Sequence, residues 1–320
     1  MEVKQRLIKN LVTKLGSVSE QNRIEALSEL RTISKSDAIS RPLISDSGAI
    51  PYLSETLFSD SEICQENAAA TLHNLTISSK DEIMSTSGVL DALSHVLRNP
   101  ASPFACQCAS ATIFNLLMVE AYRPIIGQKR DILYALIGIV KCPGSTSRTI
   151  QDAVKALFGI ALYPVNRAQV IELGAVGPLF SLVCKDGRVG FVEDSTAVIA
   201  QLAGCEESWE AFKKVSGVRI LVDLLDQATG SSYRTRENVV SALLNMARCG
   251  SDEVDVVEGL RGVIGVEAVE GILDLAENGT EKGKRKASEL LKILDLDNQL
   301  VELVEGRDGY LSSNSSFNSF

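Results

Sequence analysis

The sequence predicts an all-α fold, a right-handed α-solenoid of about seven short helical repeats. Two observations predict it. An apolar pair recurs along the chain: Leu27, Leu72, Ile113, Leu157, Ile199, Leu243 and Leu290 form one column, and Leu30, Leu75, Leu116, Ile160, Leu202, Met246 and Ile293 form a second. The steps within the first column are 45, 41, 44, 42, 44 and 47 residues, the length of a helical-repeat unit. The composition agrees: 45% hydrophobic residues with only 5% aromatics and a single Trp209 leave the apolar load to Leu, Ile, Val and Ala, residues suited to helix-on-helix packing.

The elements follow in order. Leu7, Leu11 and Leu15 carry helical spacing at the amino end and lead into Leu27 and Leu30. Gly48-Ala49-Ile50-Pro51-Tyr52-Leu53 then opens a unit that closes on Gln65-Glu66-Asn67-Ala68-Ala69-Ala70-Thr71-Leu72-His73-Asn74-Leu75. In altered form the same wording returns, with Gly88-Val89 leading to Ala109–Leu116 and Gly217-Val218 leading to Glu237–Met246. Gly48, Gly88, Gly174 and Gly217 are expected to supply positive φ at a sharp turn, with Pro51 and Pro178 in the first turn of the helix that follows. Ile50, Leu53 and Leu57 make one buried stripe, and Ala68, Leu72 and Leu75 make another at i, i+4, i+7 spacing. No unit buries both faces alone, so neighbours must stack, with the last helices lining a concave surface.

Glycine-initiated three-helix units with an asparagine on the third helix resemble the armadillo family. The resemblance covers residues 7 to about 304, and Gln65–Leu72 and Glu277–Ala287 are most similar to the armadillo region of plant U-box ubiquitin ligases. Two departures stand out. The fourth unit, about 127 to 173, has a long insert expected around Pro143-Gly144-Ser145-Thr146-Ser147 and places Gly159 where other units carry Asn. The repeats also begin within the first ten residues, so the sequence is expected to lack the U-box that recruits the conjugating enzyme.

The candidate binding residues form a ladder two positions after the first column: Glu29, Asn74, Asn115, Gly159, Gln201, Asn245 and Lys292. A carboxamide offers donor and acceptor together and so grips the main chain of an extended peptide of many sequences. The resemblance implies the same use. The competing reading is that these side chains tie one unit to the next. One turn earlier lie Asn22, Asn67, Cys108, Asp152, Asp194, Asn238 and Arg285, a polar and mildly acidic row to which a ligand bearing Lys or Arg is suited. Armadillo importins set Trp four residues before the ladder Asn, where this chain has Ala70, Ala111 and Ser241. The aromatic platform for a nuclear-import signal is therefore missing.

Other functions are disfavoured. A net charge of −9 repels a phosphate backbone. No apolar run is long enough to span a membrane and no signal peptide is visible, so cytoplasm and nucleus are the expected compartments. The cysteines, Cys64, Cys106, Cys108, Cys142, Cys184, Cys205 and Cys249, contain no CxxC and read as small buried hydrophobes. His73 and His95 both fall in helical stretches, and no nucleophile–base arrangement, metal site or cofactor site is expected. Gly279-Thr280-Glu281-Lys282-Gly283-Lys284 departs from a phosphate loop in spacing and has Arg285 in place of Ser/Thr. Lys282, Lys284, Arg285 and Lys286 suggest a solvated helix face, with a targeting patch as the alternative.

The sequence thus predicts a non-catalytic protein-binding solenoid over 1–305 and a disordered Ser/Asn-rich tail over 306–320. The alternative is a substrate-binding component or regulator working with a separate ubiquitin ligase.

Overall fold

The computed structural model describes residues 2–185, 188–249 and 253–295. The tail expected over 306–320 lies outside them. Among the described residues there are twenty α-helices and no strand. They fall into two compact units, divided between Asn166 and Arg167.

The first unit contains four repeats. Repeat one has the helices Glu2–Leu15 and Glu20–Ser36, and each later repeat has three. The third helices of repeats two to four are Glu62–Leu75, Pro103–Leu117 and Ser147–Ala161, each packed on the last helix of the repeat before it. The second unit contains repeats five to seven, whose third helices Val189–Leu202, Tyr233–Cys249 and Glu281–Ile293 stack in the same way.

Several third helices start where the sequence supplies a cap. Ser102, Thr146 and Thr280 each accept a hydrogen bond from a backbone N–H in the first turn, satisfying a donor the helix itself cannot. Their buried faces are the two apolar columns. Thirteen of the fourteen column residues are at most 1% exposed. The exception is Ile293, half-buried, beside which Leu294 is fully buried. A column of fully buried Leu and Ile shared between neighbours explains why one repeat cannot fold alone: each such side chain contributes about 1.5–3 kcal/mol only when the next helix covers it.

Four sequence expectations are corrected. Gly48, Gly88 and Gly174 do adopt positive φ, at 79°, 80° and 83°, but in repeat six that conformation belongs to Ser216, at φ 54°. Gly217 opens the helix Gly217–Asp223 and is small for another reason: a Cβ there would meet the Phe180 ring at 2.6 Å. At the amino end the buried stripe is Ile8, Leu11, Val12 and Leu15, while Leu7 is exposed. Repeat four has no long insert, since residues 142–146 join Arg130–Lys141 to Ser147–Ala161. The longer connection is in repeat six, across 224–232, where it makes a short 3-10 turn. The cysteines are not uniformly buried: Cys64, Cys106 and Cys108 are, Cys205 and Cys249 are half-buried, and Cys142 and Cys184 are exposed.

Candidate functional site

The ladder residues sit on the last helices of their repeats, and the three asparagines lean towards the preceding repeat. Asn74 Nδ2 donates to Ser34 Oγ at 3.0 Å and Asn115 Nδ2 to Thr76 Oγ1 at 2.8 Å. In the second unit Asn245 Nδ2 donates to the Ala200 carbonyl at 2.8 Å, while Gln201 Oε1 accepts from Arg167 Nη2 at 3.3 Å. All four amides are half-buried. Each asparagine therefore spends a donor on its neighbour, and its Oδ1 makes no hydrogen bond among the described residues. Glu29 is exposed on the first repeat.

Repeat four replaces the amide. Gly159 is buried, and a Cβ on it would meet Leu117 Cβ at 2.8 Å. Leu117 of the preceding repeat thus occupies the space an asparagine stem needs. No amide ties repeat four back to repeat three at this position; buried Asn166 instead donates from Nδ2 to the carbonyls of Arg123 and Ile160, both at 3.0 Å, joining the first and third helices of repeat four.

The row one turn earlier divides between the two units. In the second unit Asn238 Nδ2 donates to the Glu193 carbonyl at 3.0 Å and to Thr196 Oγ1 at 3.1 Å, and Asp194 is half-buried nearby in sequence. In the first unit Asn67 is buried and its Oδ1 accepts from Arg31 Nη1 at 2.9 Å. The Arg31 guanidinium also lies 4.9 Å from the Phe104 ring centroid and 4.0 Å from Glu66 Oε2. Burial pushes the Asp152 carboxyl above its ordinary value, against the pull of Lys155 and Arg148. Burial likewise pushes the Cys108 thiol up to about 12, with Arg31, Glu66, Asp152 and Arg148 all close enough to act on it. The expected mildly acidic row is therefore a mixed-charge strip in the first unit, with two arginines drawn in from helix positions outside the row.

The titratable groups elsewhere do not form a catalytic constellation among the described residues. His73 is half-buried with an unbonded, buried Nδ1, and burial holds its imidazole below the ordinary value, with Arg148 adding to that. His95 packs against the Phe58 ring, tilted by 46° with the centroids 5.0 Å apart. Burial raises the Cys106 and Cys205 thiols to about 11, in Cys205 helped by its bond to Glu207, so none of these is an activated thiolate. No group of three or more His, Cys, Asp or Glu side chains is placed to hold a metal among the described residues. Nor is any single described helix long and apolar enough to cross a membrane.

Against this geometry, a family model for the plant U-box protein ARM repeat region matches residues 7–305. The chain belongs to that family. U-box domain-containing protein 16 of Arabidopsis thaliana is 30% identical over 296 residues, covering 92% of this chain and 41% of the relative. U-box domain-containing protein 8 of the same plant is 27% identical over 294 residues, covering 91% of this chain and 73% of the relative. The chain thus spans about two-fifths of the first of these relatives. Among solved structures, an engineered protein superposes with a TM-score of 0.62 at 19% identity, covering 90% of this chain and 78% of its own. A designed armadillo repeat protein gives 0.51 at 21% identity, covering 90% and 99%. These likenesses show the armadillo fold.

One feature of this ARM repeat region is invisible in the ladder. Glu66, Glu193 and Glu237 occupy one register, six residues before the first apolar column. Glu66 Oε1 accepts from Ser102 Oγ at 2.5 Å, Glu193 Oε1 from Ser232 Oγ at 2.7 Å, and Glu237 Oε1 from the Thr280 N–H at 2.8 Å. Each acid thereby holds the start of the next third helix, where its charge also suits the helix dipole. The signal was in the sequence as a recurring Glu before the Asn/Asp row, with a Ser or Thr cap one repeat later.

Proposed function

We propose that this ARM repeat region is a non-catalytic scaffold that holds an extended segment of a protein partner across the third helices within each unit. The observation that carries the reading is the state of the ladder amides. Asn74, Asn115 and Asn245 are fixed by an Nδ2 bond to the preceding repeat, half-exposed, and keep an unbonded Oδ1. An acceptor held in place in repeats two, three and six captures main-chain N–H groups with little ordering cost. A computationally designed armadillo repeat protein for modular peptide recognition has the same fold, with a TM-score of 0.50 at 21% identity, covering 89% of this chain and 99% of its own. Glu29, Asn67, Asp152, Asp194, Gln201 and Asn238 extend the surface. The mixed charges around Arg31 and Arg148 suit a partner of mixed charge better than a purely basic one.

The relatives' U-box names favour one setting for this scaffold: it presents a substrate to ubiquitin-ligase machinery or regulates that machinery, in cytoplasm or nucleus. The test is selection of peptides from a random display library on the full chain, followed by binding to Asn74→Ala/Asn115→Ala/Asn245→Ala. Loss of about 1 kcal/mol or more of affinity for each contact removed, at unchanged helical circular dichroism, supports the reading. Undiminished binding by the triple variant removes it.

A further inference from the structure

One cavity beside the last helix of repeat one is lined by two cations and neutral polar side chains. It holds about 520 Å3 and is bounded by Ser28, Arg31, Thr32, Lys35 and Ser36 of Glu20–Ser36, with Asn67 from repeat two. No carboxylate lines it, and the one facing Arg31, Glu66 Oε2, stands 4.0 Å from Nη1. Arg31 and Lys35 are four residues apart on one helix, so their stems share a face. Lys35 has no carboxylate within 4.0 Å among the described residues.

The free charged groups in this cavity are cationic donors. Arg31 is held from behind by Asn67 Oδ1 and the Phe104 ring, and its Nε and Nη2 make no hydrogen bond among the described residues. Lys35 Nζ, Ser28 Oγ and Asn67 Nδ2 are likewise unbonded among them. Thr32 and Ser36 instead donate to backbone carbonyls of their own helix. A carboxylate brings two oxygens and a single negative charge to two cations and a hydroxyl. A phosphoryl group carries three acceptor oxygens and about −1.5 to −2 charge, and engages the fork, the ammonium and the hydroxyl together.

Resting on the scaffold reading, we infer that repeat one binds a phosphorylated serine or threonine side chain of the protein partner. Arg31 supplies the planar fork, Lys35 the point charge and Ser28 the third donor. The rest of the partner segment then continues over Asn67 towards Asn74. The site is anionic in preference within a chain of net charge −9, so it discriminates by position and not by the overall field.

The test uses the full chain on three arrays of immobilised peptides with randomised flanks and phosphoserine, serine or glutamate at the centre. The expected result is about tenfold greater retention on phosphoserine than on either other array, reduced to near parity by Lys35→Gln and by Arg31→Gln. Lys35 is exposed and holds no other element, so that variant tests the site even where Arg31→Gln disturbs packing on Phe104. Equal retention on phosphoserine and glutamate overturns the phosphoryl assignment, and a preference that survives Lys35→Gln overturns the location. Retention on the serine array that matches phosphoserine, and falls with Asn74→Ala and Asn115→Ala, leaves the scaffold standing while removing this inference.

Discussion

Asn115, on the third helix of repeat three, donates from Nδ2 to Thr76 Oγ1 at the end of the third helix of repeat two, 2.8 Å away. Thr76 is itself buried and donates onward to the His73 carbonyl at 2.6 Å, so one side-chain bond joins two repeats through a satisfied hydroxyl. Asn115→Ala should lower unfolding stability by about 1 kcal/mol and Thr76→Val by a similar amount, with the double variant recovering part of the sum. Strict additivity in a urea-denaturation cycle would show that the bond contributes nothing.

Gly159→Ala should destabilise the first unit by about 1–3 kcal/mol, because the new Cβ overlaps Leu117 Cβ in a packed helix interface. Gly138→Ala is the control. It lies in the helix Arg130–Lys141 with nothing within 4 Å of an added Cβ, so the same change should be neutral or stabilise by about 0.5–1 kcal/mol. Thermal melts that shift equally for both variants would contradict the packing account.

His73 should make stability fall with acid. Its folded-state imidazole is held below the ordinary 6.5 by burial and by Arg148, so the unfolded chain takes up the proton first as pH drops. The stability this group contributes is complete above about pH 6.5 and is lost as pH falls towards its lowered folded value. Denaturation midpoints measured from about pH 8 to 5.5 should decline less for His73→Phe than for the natural chain. Parallel curves would show that the ring is not buried.

Thiol labelling should separate the cysteines into classes. Cys142 and Cys184 are exposed and should react with a maleimide first at neutral pH, while Cys106 and Cys108, buried and raised to about 11 and 12, should react only on unfolding. Mass spectrometry of timed digests reads the order directly. Early modification of Cys108 would mean that the strip between repeats two and four is open.

How much of this was legible in the sequence follows from what each feature depends on. Leu27 to Leu290 were readable because burial demands an apolar residue at a fixed helical phase, whatever the partner. Their neighbours' geometry was less so. Gly217 and Gly159 both looked like backbone glycines or gaps, yet each is small because a side chain from the preceding repeat, Phe180 or Leu117, fills the space. That information lies about forty residues away in the chain and has no local period. The ladder amides were placed on the right helices, but their orientation towards the previous repeat depends on Ser34, Thr76 and the Ala200 carbonyl, which share no register. Arg31 was missed because it reaches the strip from a helix position outside the column alignment. The cysteines were misjudged because hydrophobicity alone does not distinguish a loop position such as Cys142 from a helix interior such as Cys108.

The central claim is that the partner lies on the third helices. Hydrogen–deuterium exchange of the full chain, with and without a saturating display-selected peptide, tests it most directly. The account predicts slowed exchange within Glu62–Leu75 and Pro103–Leu117, or within Val189–Leu202 and Tyr233–Cys249, and unchanged exchange in the first and second helices of the same repeats. Protection confined to helices such as Tyr122–Gly127 and Arg130–Lys141, with the third helices unaffected, would contradict it.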